Sequence, residues 1–310
     1  MAKDYDHIME YSADWKKKTG MLEFTMTNDY LFRALMQKDE KTLKALVGSF
    51  LKVDPETLDT EITNPIALGE TINDKEYHLD VKVLVDKKKK VNLEMQVIRH
   101  EGWIERTLVY ACREFDDLNK GDDYKDVLGM WQISICCFDL FEDEPEFFSD
   151  FMLVNINNTH QIYSDKFRIS NMNLQRIDLA TEENKASGLT EWAKLFKAKS
   201  WEDLKMLAEN NNVIEQAVSS VSQLTEDKRI RDEIWRREDN ARIELTNKNA
   251  YARAIAKITQ QQDVIKEQDA ALKEKDGVIE EKNAVIEEKD ATIEKMKSEI
   301  ERLKKQVSEQ

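Results

Sequence analysis

Proline and glycine are scarce, at 3 and 8 among 310 residues. Long loops, low-complexity linkers and many-stranded sandwiches use both as turn residues, so those architectures are excluded and helix should dominate. Cysteine is scarce too. Cys112, Cys136 and Cys137 are odd in number and two lie adjacent in an apolar run, which argues against a disulfide framework and fits a reduced, cytoplasmic setting. No apolar run approaches the ~20 residues a membrane span needs, and the start, MAKDYDHIMEYSADWKKK, mixes acids and bases as a secretory leader does not. A soluble protein with no membrane partner is expected. Positive charge is also short: 47 Lys and Arg face 62 Asp and Glu, for a net charge of -15 and a pI near 4.9, which excludes a polybasic nucleic-acid binder. Charged residues nevertheless make up 35% of the chain. An ordinary domain carries roughly 25%, so a core with a solvated extension is implied.

Four segments follow from the patterning. Residues 1–21 read as a polar N-terminal arm. Residues 22–180 alternate helical and strand periods. Tyr30, Leu31, Leu35, Leu43, Leu46, Val47, Phe50 and Leu51 recur at helical spacing across 28–52, broken near Lys38 and Asp39, with Thr27 or Asn28 as the N-cap. Strand character then appears at 61–68, 77–86 and 91–98, where Val81, Val83 and Val85 and then Val91, Leu93, Met95 and Val97 alternate with polar neighbours. Lys87, Lys88, Lys89 and Lys90 read as the tip joining the last two. A helix over 103–119, a buried strand over 130–141 and added β segments at 147–156 and 163–179 complete an α/β core of order αβββαβ. Residues 181–253 read as helical. From 254 to 310 the chain is a heptad-repeat helix: Ile258, Ile265, Leu272, Ile279, Ile286, Ile293 and Ile300 recur every seventh residue, while the companion positions Gln261, Gln268, Lys275, Lys282 and Lys289 are polar. This tail suits a self-associating coiled coil or a charged solvated extension.

Asp80, Glu94 and Gln96 carry the chemistry to be weighed. A hairpin centred near Lys88 sets Asp80 opposite Gln96 and Lys82 opposite Glu94, all on one face. Asp80 and Glu94 are then diagonal neighbours roughly 7 to 8 Å apart, within reach of one ion. Two carboxylates with a carbonyl and waters suit Mg²⁺, with Mn²⁺ as a substitute, and such an ion lowers the pKa of a bound water. An Asp and a Glu at this spacing also fit the solvated face of a hairpin. Asp29 opens the first helix, where an acid also simply favours the dipole. Arg106, Tyr110 and Arg113 share a helix face and suit a phosphate, a brace for Glu94, or an ion-pairing stripe. Lys87 to Lys90 suit a DNA backbone or the plain guarding of a hairpin tip. His7, His78, His100 and His160 are scattered, with no zinc spacing.

The strings TNDYLFRALM (27–36), LDVKVLVDKKKKVNLEMQ (79–96) and WIERTLVYACREF (103–115) resemble the recombination-promoting nucleases, transposase relatives within the PD-(D/E)XK nuclease superfamily. The resemblance covers residues 22–180. It implies a restriction-endonuclease-like fold and a bacterial-type, Mg²⁺-dependent DNA endonuclease that promotes recombination or transposition. Asp80 and Glu94 match the two metal-binding acids, Gln96 stands where the superfamily has Lys, and Asp29 matches an acid that joins the metal's outer shell. Gln carries no charge, so it orients a water rather than acting as a base. The acidic balance pulls against DNA: residues 20–180 hold 19 Lys and Arg against 30 Asp and Glu. A compensating basic group is expected around Trp235, from Lys228, Arg229, Arg231, Arg236, Arg237, Arg242 and Arg253, with a homo-oligomer through the tail doubling it. The other reading is a nuclease-like fold that no longer cuts and serves as an oligomeric interaction module.

Overall fold

The computed structural model describes residues 13–66 and 80–308, in two compact units, Met1–Arg237 and Glu238–Gln310. The first unit is three-layered. Helices α1 (Asp29–Lys38) and α2 (Glu40–Leu51) cover one face of a mixed sheet, and α3 (Trp103–Phe115) covers the other. The six strands are β1 (Thr60–Ile62), β2 (Val81–Val85), β3 (Lys89–Gln96), β4 (Gly129–Cys136), β5 (Phe148–Asn155) and β6 (Asn158–Asn173), in the order β1-β2-β3-β4-β6-β5. β3, β4 and β6 run parallel, while β1, β2 and β5 are antiparallel to their neighbours. β4, central and covered on both faces, is buried at every position, as a parallel strand requires.

Local chemistry sets the first helices. The Asn28 side chain accepts from Leu31 N at 3.0 Å and starts α1. Asp39 ends α1 and caps α2, which places the break where the periodicity fails. Its buried carboxylate accepts from Thr42 N (3.1 Å), Thr42 Oγ1 (2.8 Å), Gln216 Nε2 (2.7 Å) and Ser220 Oγ (2.6 Å). The last two donors belong to α7 (Asn212–Glu226), so one carboxylate ties three helices. Asp39→Ala removes a cap and strands four donors. The expected loss is about 2–4 kcal/mol in urea unfolding, and a loss below ~1 kcal/mol would refute this role.

After the short α4 (Glu182–Ala186), helices α5 (Leu189–Lys197), α6 (Trp201–Ala208) and α7 share the hydrophobic core of α1 and α2 through Leu189, Trp192, Leu195, Phe196, Leu204 and Val218. The arm read over 1–21 is anchored from residue 13 onward: Trp15 is buried in that core, and Lys18 pairs with Glu226 at 2.6 Å. Its earlier residues lie outside the described ones, as do the ends of the strands expected at 61–68 and 77–86. Long β6 replaces the separate β segment read at 163–179, and its partner β5 begins at Phe148.

The hairpin turns earlier than its lysines suggest. Asp86 and Lys87 both take left-handed backbone (φ 50° and 54°), and Asp86 is pinned to Asp59 by Asp86 N to Asp59 O (2.8 Å) and Asp59 N to Asp86 Oδ1 (2.9 Å). Lys89 and Lys90 therefore enter β3, Lys82 pairs with Asn92, and Val81 pairs with Leu93. Continued by one residue, this register sets Asp80 across from Glu94, a correction to the facing of Gln96 that a centre at Lys88 implies.

α8 (Lys228–Ser308) begins in the first unit and forms the second. No proline follows Pro145, and Gly277 is the single glycine past Gly188, so nothing in the sequence breaks it. Ile265, Ile279 and Ile286 are about half exposed along it.

Candidate active site

Asp80 immediately precedes β2, and its backbone is held from below. The fully buried Arg33 of α1 donates through Nη1 to the Asp80 carbonyl and through Nη2 to the Asn64 carbonyl. Asn64 Nδ2 donates to the same Asp80 carbonyl at 3.1 Å, while Asn64 Oδ1 accepts from Arg33 Nη1 (3.1 Å) and Lys82 N (2.9 Å). Burial lowers the Arg33 pKa to about 10, opposed by the negative charge of Asp80, so the guanidinium stays charged at neutral pH. This clamp fixes the main chain and leaves the Asp80 side chain uncommitted: Oδ1 is buried with no hydrogen-bond partner. An orphaned anionic oxygen in the interior is costly unless something else completes it.

Glu94 stands opposite on β3, with its side chain 13% exposed. Burial raises its pKa to about 7, with Arg106 pulling it down and the Asp80 charge pushing it up. Two acids that feel each other in a shielded layer form an oxygen-only donor pair, which fits a hard divalent cation. Among the described residues no group of three or more His, Cys, Asp and Glu converges.

Arg106 of α3 reaches Glu94 Oε1 at 3.0 Å, and its guanidinium lies 5.2 Å from the Trp103 ring and 5.1 Å from the Tyr110 ring. Of the three uses open to it, the structure displays the brace for Glu94. Gln96 lies on the same face two residues on, its Nε2 donating to Ile98 O at 2.6 Å. Arg113 is exposed on α3. Asp29, one turn before Arg33, faces Arg237: desolvation by surrounding protein raises its pKa, countered by its own bond from Tyr30 N (2.7 Å) and by Arg237. It is not among the groups that contact Asp80 or Glu94.

The lysines divide. Lys87 and Lys88 are exposed in the turn. Lys89 lies 5.4 Å from the Trp131 ring. Lys90 pairs with Asp117, just past the end of α3, and donates to Glu114 O at 2.8 Å, and Lys82 meets the Glu114 carboxylate at 2.6 Å, so both lysines have acidic partners. Neutralisation also overtakes the basic group near Trp235. Buried Glu233 binds Arg236 (2.8 Å) and Arg237 (2.7 Å), Arg229 pairs with Asp227 (3.1 Å), and Trp235 packs on Phe24 at 6.1 Å. His7 and His78 lie outside the described residues; His100 and His160 are exposed.

Sequence reasoning missed Arg33, Asn64, Ser134 and Asn171. Arg33 alone leaves a signal, a single cation inside the apolar run YLFRALM. Ser134 is in register with Glu94 on parallel β4, and Asn171 with Ser134 on β6, positions that local spacing does not reveal.

A mixed sheet between helical layers thus carries one acid before β2 and another across the hairpin. A family model described as PD-(D/E)XK nuclease family transposase matches residues 26–254, and the chain belongs to that family. The match runs beyond the sheet through α4–α7 into α8, farther than the strings at 27–36, 79–96 and 103–115 reach. Neither a curated protein nor a solved structure matches the chain. No helix among the described residues is long and apolar enough to cross a membrane.

Proposed function

We propose that this protein is a divalent-metal-dependent DNA endonuclease of the kind that promotes recombination or transposition. The observation that carries the reading is the opposition of Asp80 and Glu94, one with an orphaned buried oxygen and the other with a pKa near 7. Asp80 and Glu94 would hold Mg²⁺ or Mn²⁺; when bound, the ion supplies a lowered water pKa and charge stabilisation for a phosphodiester transition state. The Arg33–Asn64 clamp positions Asp80 through its backbone. Arg106 keeps Glu94 aimed inward and, once Glu94 turns to a cation, has a free guanidinium for phosphate, which its planar donors suit. Gln96 offers its amide oxygen to orient an attacking water and takes no proton. Lys87, Lys88 and Arg113 provide exposed positive charge for the DNA backbone.

The test is nicking of supercoiled plasmid in Mg²⁺, Mn²⁺ or EDTA, with the native chain, Asp80→Ala and Glu94→Ala, each checked by circular dichroism. Metal-dependent nicking lost in both variants is the expected result. Absence of nicking, or nicking that survives both substitutions, overturns the reading and leaves the interaction module, which the exchange of Lys for Gln at position 96 favours.

The tail is assigned self-association. Its half-exposed isoleucines form one seam, with Lys275, Lys282 and Lys289 on one flank and Asp269, Asp276 and Asp290 on the other, so neighbouring copies can match opposite charges. Joining two copies would supply the two sites a double-strand cut needs. Ile279→Asp with Ile286→Asp should lower the mass seen by light scattering by about half if the oligomer is a dimer; an unchanged mass refutes the assignment.

A further inference from the structure

Two carboxylates and one divalent cation cancel in charge, so the site assigned to Asp80 and Glu94 meets a phosphodiester with no net charge of its own. In hydrolysis of that diester, the water oxygen bonds to phosphorus while the bond from phosphorus to the leaving sugar oxygen breaks. The proton lost by the water passes to solvent, and solvent returns one to the leaving oxygen. On the way the phosphoryl group goes from one negative charge towards two, and fixed cations aimed at it must meet that gain. Gln96 has no charge to give. Arg106 supplies one cation when Glu94 releases it. A second has to come from the face of the sheet that carries both acids.

Lys82 is on that face. It stands two residues beyond Asp80 on β2 and pairs with Asn92, two residues before Glu94 on β3. Side chains at this spacing point the same way, so its Cα lies about 7 Å from that of Asp80 and roughly 7 to 8 Å from that of Glu94. Its ammonium is turned elsewhere, to the Glu114 carboxylate of α3 at 2.6 Å, with the two side chains 30% and 32% exposed. A pair that wet holds weakly. The stem also has room to move, because Thr63, Lys82, Asn92, Glu114 and Met130 line a cavity of about 330 Å³ between α3 and the sheet. Lys90, the other lysine of this face, is tied to Asp117. It stands four residues before Glu94, roughly 13 Å along the strand, beyond the reach of its stem.

We propose that Lys82 is a catalytic residue held in reserve by Glu114, and that an incoming phosphodiester draws its ammonium off that carboxylate and onto the phosphate under attack. The proposal rests on the nuclease reading above and adds to it the second cation of the site and the contact that parks it. Lys82 contributes fixed positive charge and transfers no proton.

The test pairs single-turnover cleavage of a labelled duplex in Mg²⁺ with binding of the same duplex in EDTA by fluorescence anisotropy, at one salt concentration. Lys82→Met keeps the stem and removes the charge, so cleavage should slow about 100-fold. Duplex affinity should change by less than about threefold, because the charge acts in the transition state. Lys82→Arg should retain part of the rate. Glu114→Gln frees the ammonium and should raise the rate about two- to fivefold, the worth of a part-exposed ion pair. A pair that merely braces the fold predicts the reverse, with the same loss from either side. Circular dichroism checks each variant, and should Lys82→Met fail to fold, Glu114→Gln decides alone, a rate below native overturning the proposal. Equal losses in Lys82→Met and Glu114→Gln, loss of duplex binding in step with cleavage, or native cleavage by Lys82→Met overturns the proposal and leaves the nuclease reading standing. A native chain that does not cut overturns both.

Discussion

Glu94→Gln should abolish cleavage while making the metal-free protein harder to unfold at alkaline pH. The substitution removes one of two acids assigned to the metal, and loss of even an outer partner of a metal site costs 10–100-fold, so a drop beyond about 100-fold is expected. The stability effect follows from the raised pKa. Glu94 titrates near 7 in the fold against an ordinary value of 4.5, because burial and Asp80 disfavour its charge. The folded state thus binds the proton more tightly than the unfolded chain. The stability that this proton brings is complete below about pH 4.5 and is lost as the pH rises through 7. At pH 8 the native protein carries the full cost of the buried charge, about 1–3 kcal/mol, and the neutral amide escapes it. Urea unfolding in EDTA should show Glu94→Gln more stable than the native chain at pH 8 and nearly equal at pH 5. The same difference at both pH values would refute the assignment of a strained, ionised Glu94.

Arg33→Ala should be the most damaging single change in the sheet domain, at about 3–5 kcal/mol. It empties a fully buried site, leaves the Asn64 carbonyl without its donor and leaves the Asp80 carbonyl with Asn64 Nδ2 alone. For a unit of this size the midpoint of thermal unfolding should fall by roughly 10 °C. Arg33→Lys should recover only part of it, because an ammonium cannot span two carbonyls as a planar guanidinium does. Melting curves for the three proteins decide the matter, and a fall under about 3 °C for Arg33→Ala would rule out the clamp. Cleavage at permissive temperature should fall as well, since the clamp sets the backbone from which Asp80 projects.

Short-range features were legible. Asn28 as a cap, the break at Asp39, the alternating valines of β2 and the apolar stripe of α3 all act within one turn or one strand, so residue spacing alone reveals them. The pairing of Asp80 and Glu94 on one face was legible too, because two strands joined by a short link must be antiparallel neighbours. Their exact register was not: it depends on left-handed backbone at Asp86 and Lys87, held by Asp59 from another segment. Of the basic group expected near Trp235, Arg236 and Arg237 are taken up by Glu233, buried one helical turn away, a pairing that a tally of positive charge does not reveal.

The sequence by itself determined the element types, the acidic pair and its hairpin, and the seven-residue recurrence of the tail, because each is written in a period of two, of 3.6 or of seven. Only the tertiary structure decided that Arg33 holds Asp80, that Arg106 braces Glu94, and that Ser134 and Asn171 line a cavity beside it. Those contacts join residues from 12 to 47 positions apart through paired strands and packed helices, and no local period records which distant segments a folded core brings together.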